Sequence, residues 1–271
     1  MRVTFLLALA ASALCLIPAH AHEFWIDPLQ YTVAPGDPVV ADIRVGEEFV
    51  GVAYTYFPKN FKRSELQQGA TATPNEGRLG DRPALTATAE EGLAVLVHQT
   101  TDSRVSYSGM EKFRNFVTHK DAKWTLAAHA ERGLPEDRFV EVYSRYAKSL
   151  IAVGDGAGND AEAGLEIELV ARTNPYTEDT SDGVGVTLLY QGDPRPDAQI
   201  EVFEKAPDDS VAVFFERTDA TGEAVIPVKP GHRYMVDSVV LREPSRDKIE
   251  ATGAAWESLW ANLTFAVPDK Q

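Results

Sequence analysis

Leu93-Ala94-Val95-Leu96-Val97-His98-Gln99-Thr100 is a run of eight residues, the first five apolar, with no acidic or basic side chain but a histidine. Its length and its leucines and valines read as a strand. Alternation puts Ala94, Leu96 and His98 on one face and Val95 and Val97 on the other. Comparable runs lie at 39–45, 165–171, 184–190, 199–205, 211–217, 233–241 and 263–267, punctuated by Pro, Gly and Asp. Many short strands with turn signals between them predict a mainly β protein built from β-sandwiches.

The period lengthens only between about 108 and 132. Ser108-Gly109-Met110-Glu111 has capping-box spacing, and Met110, Phe113 and Val117 then share a helical face. A second helix is expected from an Asp121 cap to Arg132, closed by Gly133-Leu134-Pro135. A boundary is expected near Arg172, where Thr173-Asn174-Pro175 opens a polar stretch. The predicted organisation is therefore a sandwich over 22–171 carrying the helical insertion and a second sandwich over 172–271. Pro28 and Gly36 in the first half are echoed by Pro175 and Gly183 in the second, eight residues apart in each case.

Met1-Arg2 and the uncharged apolar stretch 3–17 lead into Pro18-Ala19-His20-Ala21-His22, which predicts a signal peptide over 1–21. The A-x-A pattern at Ala19 and Ala21 favours a cut that leaves His22 first; a cut after Ala19 would leave His20-Ala21-His22. The run is shorter than the roughly 20 residues of a spanning helix, and no later run matches it, so no anchor is expected in the mature chain. Cys15, the single cysteine, follows Leu14 rather than a small residue and would leave with the signal. No disulfide or thiolate metal site is then expected. Removing 1–21 takes away Arg2 and no acid, so 25 basic and 41 acidic side chains leave a net charge of −16. That sign argues against a nucleic-acid partner.

A free terminal histidine offers one metal two nitrogens, its amine and its imidazole, and copper(II) and nickel(II) favour such donors. Two ligands leave open positions, so His98 and His129 are the candidate partners of His22. Each also has a structural reading, His98 as a hydrogen-bonded core residue and His129 as the dipole-complementing residue of a last helical turn. His119 would not share a helical face with His129, and His232 sits in a Pro-Gly turn. The segment Asp155-Gly156-Ala157-Gly158-Asn159-Asp160 lacks EF-hand spacing and reads as a loop. Trp256 and Trp260 read as a core plug, and Arg145 and Lys148 beside Tyr143 as ion-paired residues with an anion site as the alternative. There is no G-x-S-x-G, H-E-x-x-H or P-loop, so hydrolytic and phosphoryl-transfer chemistry has no foothold.

The 197–203, 218–224 and 230–234 segments resemble the immunoglobulin-like modules related to carboxypeptidase regulatory domains. His22-Glu23-Phe24-Trp25, Arg132-Gly133-Leu134-Pro135-Glu136, Tyr143-Ser144-Arg145-Tyr146-Ala147-Lys148 before Val153-Gly154-Asp155-Gly156, and Trp256-Glu257-Ser258-Leu259-Trp260 together resemble one family. It is the uncharacterised family of exported bacterial proteins often labelled the periplasmic component of nickel and cobalt uptake systems. The resemblance implies a periplasmic, non-enzymatic protein that binds nickel, cobalt or copper and serves an inner- or outer-membrane metal transporter. Two other readings stay open: a copper-dependent oxidative enzyme with an N-terminal histidine brace, and a metal-free structural or adhesive module of the envelope.

Overall fold

The computed structural model describes residues 22–269, so the expected signal peptide, residues 1–21, lies outside them. Strands take up 49% of the chain and helices 11%, which makes the protein mainly β with the sheet-on-sheet packing of a β-sandwich.

The first stretch holds β1 (Glu23–Pro28), β2 (Thr32–Val33), β3 (Val39–Glu47), β4 (Val50–Tyr54), β5 (Phe61–Gln68), β6 (Thr71–Pro74), β7 (Leu85–Ala87), β8 (Gly92–Thr100) and β9 (Ser103–Tyr107). Two helices, α1 (Met110–His119) and α2 (Trp124–Glu131), precede the long strand β10 (Phe139–Val153). Then come β11 (Ile167–Ala171), β12 (Val184–Tyr190), β13 (Asp193–Pro194), β14 (Gln199–Lys205), β15 (Val211–Arg217), β16 (Glu223–Ile226) and β17 (Arg233–Arg242). The chain closes with α3 (Arg246–Thr252) and β18 (Ala254–Ala266).

Among the described residues these strands form three sheets. The central one has ten strands, with the path β15-β14-β17-β18-β10-β8-β5-β6 and with β2 and β9 also on β10. A four-stranded sheet of β1, β3, β4 and β7 covers one of its faces, and one of β11, β12, β13 and β16 covers the other. Residue parity decides which core each side chain enters. Ala94 and Leu96 of β8 join Phe24, Ile26, Ala41 and Ile43 on the first side. Val95 and Val97 join Leu169, Val186 and Leu188 on the second. The alternation read for 93–100 therefore holds, and an apolar strand without polar punctuation reports burial on both faces.

The central sheet runs through residues on both sides of 172. Its middle is a parallel ladder between β10 and β18, in which Val140 faces Ala254 and Ser149 faces Thr264. In β18, Leu259, Ala261, Leu263 and Phe265 point toward β11 and β12. Trp256 and Trp260 point the other way and are capped by α1 through Phe113, Phe116 and Val117, and by α2 through His129 against Trp256. Each buried indole removes roughly 200 Å² from water, worth about 5 kcal/mol at ~25 cal/mol per Å². The two tryptophans are thus a core plug on one face of a strand, with Ser258 between them.

Three local expectations are corrected. Ser108 makes no capping bond: Gly109 is the N-cap of α1 and no side chain caps it. Asp121 lies at φ 55 in the turn between the helices, and the N-cap of α2 is the uncapped Lys123. A third helix, α3, forms outside the 108–132 window, capped by Ser245 accepting from Lys248 N and closed by left-handed Gly253. Gly133 ends α2 at φ 62 as its position suggested, with Leu134 N donating to His129 O at 3.2 Å.

Because β10 needs β18 as its neighbour, a fragment covering residues 22–172 is expected to expose a long unpaired edge and to show no cooperative thermal transition. A chain covering residues 22–271 should give a single transition in calorimetry. An independent, reversible melt of the fragment would overturn this reading of the core.

Candidate functional site

The antiparallel ladder of β1 with β3 sets Glu23 opposite Gly46. One step further out, the His22 Nδ1 lies 3.2 Å from Glu47 Oε1. A two-residue hairpin holds that carboxylate in place, since Glu47 pairs with Val50 across Glu48 and Phe49, both at positive φ (50 and 63). Positive φ at both central positions matches the twist of a tight hairpin. Glycine is required beside it, because a Cβ on Gly46 would lie 2.0 Å from Val50 O. The His22 side chain is 60% exposed and that of Glu47 33%, so the pair is open to exchange with solvent.

His98 lies elsewhere in the same half of the molecule. It is 1% exposed, stacked on Phe24 at 5.6 Å and edge-on to Phe61 at 4.5 Å. Burial pulls its pKa down to about 3, so the ring is neutral, and its Nδ1 has no hydrogen-bond partner. It borders a cavity of about 420 Å³ between the first sheet and the central sheet.

His129 is placed in a different cluster. Trp256 Nε1 donates to its Nδ1 at 3.0 Å, and its Nε2 reaches Pro135 O at 3.2 Å. The indole can only donate and the carbonyl can only accept, so the ring is the Nε2-protonated tautomer with both nitrogens committed. No lone pair is left for a metal. Among the described residues, no group of three or more His, Cys, Asp or Glu side chains is arranged to hold a metal ion.

A buried charge cluster lies at the next residue of β1, Glu23, and the sequence did not point to it. The Lys120 ammonium meets Glu201 at 2.6 Å, Asp237 at 3.0 Å and Glu23 at 3.7 Å, and it sits 4.8 Å above the Trp260 ring. His119 Nε2 adds a contact to Glu201 at 2.8 Å. Three carboxylates around one ammonium, out of water, favour keeping a proton on one of them. Glu23 is that group: burial outweighs the ammonium and pushes its pKa up to about 8. Burial likewise raises Asp237, whereas the contacts of His119 and Lys120 hold Glu201 low against its own burial.

The remaining sequence motifs serve packing. Arg132 lies 4.8 Å over Trp256 and donates to Ala255 O at 3.0 Å, which fastens α2 to β18. Lys148 binds Asp160 and Glu168, both at 2.9 Å, so the 155–160 loop is tied back to the sheet. Glu257 is held by Arg242 at 2.8 Å and also by Lys248. Arg145 departs from the expected ion pair: its Nε and Nη1 are buried without partners, and no carboxylate among the described residues pairs with it.

The profile of one protein family, a domain of unknown function designated DUF4198, matches residues 19–241. A search of curated proteins gives no match.

Between pH 4.5 and about 8 the folded protein retains a proton on Glu23 that the unfolded chain has released. Stability is therefore lost as pH rises through that window. Glu23→Gln should lessen the fall in unfolding free energy between pH 5 and 8.5, by an amount on the order of 2 kcal/mol. Parallel pH profiles for the two proteins would exclude this. His129→Ala should destabilise by about 2–4 kcal/mol in chemical denaturation, because it opens a cavity and orphans the Trp256 indole.

Proposed function

The chain belongs to the DUF4198 family, a domain of unknown function, and from that premise we propose that the processed protein is a periplasmic carrier of a divalent transition metal, nickel, cobalt or copper. The metal is cargo, bound at the mature N-terminus. The observation that carries the reading is the 3.2 Å approach of His22 Nδ1 to Glu47 Oε1.

Signal cleavage after Ala21 converts the peptide nitrogen of His22 into an amine. That amine and the imidazole then form a chelate, and the Glu47 carboxylate supplies a third donor beside it. Nitrogen donors with one carboxylate suit nickel(II), cobalt(II) and copper(II), with copper held most tightly by the general order of these ions. The donors sit on an exposed rim, which suits a carrier that must release its ion to a membrane transporter. His129 is left out of the ligand set because both its nitrogens bond within the core. The reading is of a binding protein, not an enzyme.

Calorimetric titration with copper(II) and nickel(II) tests it on protein exported by its own signal. His22→Ala, Glu47→Gln and a cytoplasmic form beginning Met-His22 should each bind about tenfold more weakly or worse, a loss of roughly 1.4 kcal/mol. Their metal-free melting temperatures should stay near that of the parent, as expected for exposed terminal and rim positions. Equal affinities in all four proteins would end the proposal.

A further inference from the structure

The 420 Å³ cavity beside His98 falls within the size range of small-molecule sites. It opens where the central sheet parts. Strand β10 is laddered to β9 over residues 139–143 and to β8 over 150–153. Between those stretches Arg145 N donates to the Thr100 hydroxyl at 3.0 Å. The cavity occupies this seam, under the β3–β4 hairpin.

Its chemistry is divided. Phe24, Phe57, Phe61 and Tyr54 make an aromatic wall, while Arg145, Thr100 and Ser103 are polar. Arg145 is 9% exposed, and its guanidinium stacks over Trp260 at 4.2 Å and Tyr143 at 5.1 Å. Glu23, Glu141 and Asp237 act on it through space without forming an ion pair. Asp102, the carboxylate among the lining residues, is bound by Lys248 at 3.0 Å. A buried cation with free N–H donors is costly unless something accepts from it. Guanidinium and carboxylate are matched in shape and charge.

We propose that this cavity binds a small organic carboxylate with a flat apolar body, the carboxylate on Arg145 and the body against Phe24, Phe57 and Phe61. Neutral His98 forms part of the wall. The net negative charge of the chain does not prevent this at physiological salt, where charges beyond about 8 Å are screened. The site is independent of the terminal metal ligands.

Titration of chelator-treated, metal-free protein with benzoate, benzamide and acetate is the test, followed by calorimetry. Benzoate should bind at least about tenfold more tightly than either control, since benzamide lacks the charge and acetate lacks the ring. Arg145→Met should bring benzoate down to the benzamide level, and His22→Ala should leave it unchanged. Phe57 is 40% exposed, so Phe57→Ala keeps the fold and should weaken benzoate about fivefold. No saturable binding, equal affinity for benzoate and benzamide, acetate binding as tightly as benzoate, or a benzoate preference that survives Arg145→Met would each overturn the proposal. Should Arg145→Met fail to fold, an undiminished affinity in Phe57→Ala overturns it.

Discussion

The parallel pairing of β10 with β18 is the constraint on which the molecule rests. It joins strands more than a hundred residues apart in sequence and puts them at the centre of a ten-stranded sheet. Every other layer is placed against that pair. One sheet packs through Ala147 and Ile151, the opposite sheet through Leu150 and Leu263, and the helices through Trp256 and Trp260. Parallel strands of this kind are stable when both faces are covered, and here they are.

Coverage on both faces explains the polar groups at the centre. Arg145, Lys148, Glu141, Asp237, Glu257 and Asn262 are all buried on these central strands or their neighbour β17. Most are satisfied locally: Lys148 by two carboxylates, Glu257 by Arg242, Asp237 by Lys120. Breaking such a pair is far more damaging than never having built it, so these residues fasten the layers in one arrangement. Arg145 and Asn262 are the exceptions, each with two unpartnered side-chain atoms, and of the two Arg145 borders the cavity.

The N-terminal strand brings these features together. Phe24 and Ile26 enter the core under the first sheet, whereas Trp25 packs against Phe203 and Met235, and Glu23 reaches Lys120. His22 therefore lies at the rim of a rigid element that contacts both halves of the chain. Its partner Glu47 is fixed by a hairpin of defined length. The residue next to it, Glu23, is already buried, which limits the freedom of His22.

Local pattern by itself determined much of this protein. Strands 184–190, 199–205 and 211–217 were bounded correctly by period and turn residues, and Gly133 marked the end of α2 by its freedom at positive φ. Tertiary structure decided the rest. Trp256 to Asn262 were missed as strand because burial on both faces, with polar Glu257, Ser258 and Asn262 inside, erases the two-residue alternation. The fate of each histidine was equally non-local: His129 is committed by Trp256, 127 residues away, and His98 by rings on two other strands. Glu47 and Lys120 carry no motif, and the motif around Arg145 does not say what that side chain faces. Their roles arise from what the folded chain places beside them, because desolvation and pairing act through space and not along the sequence.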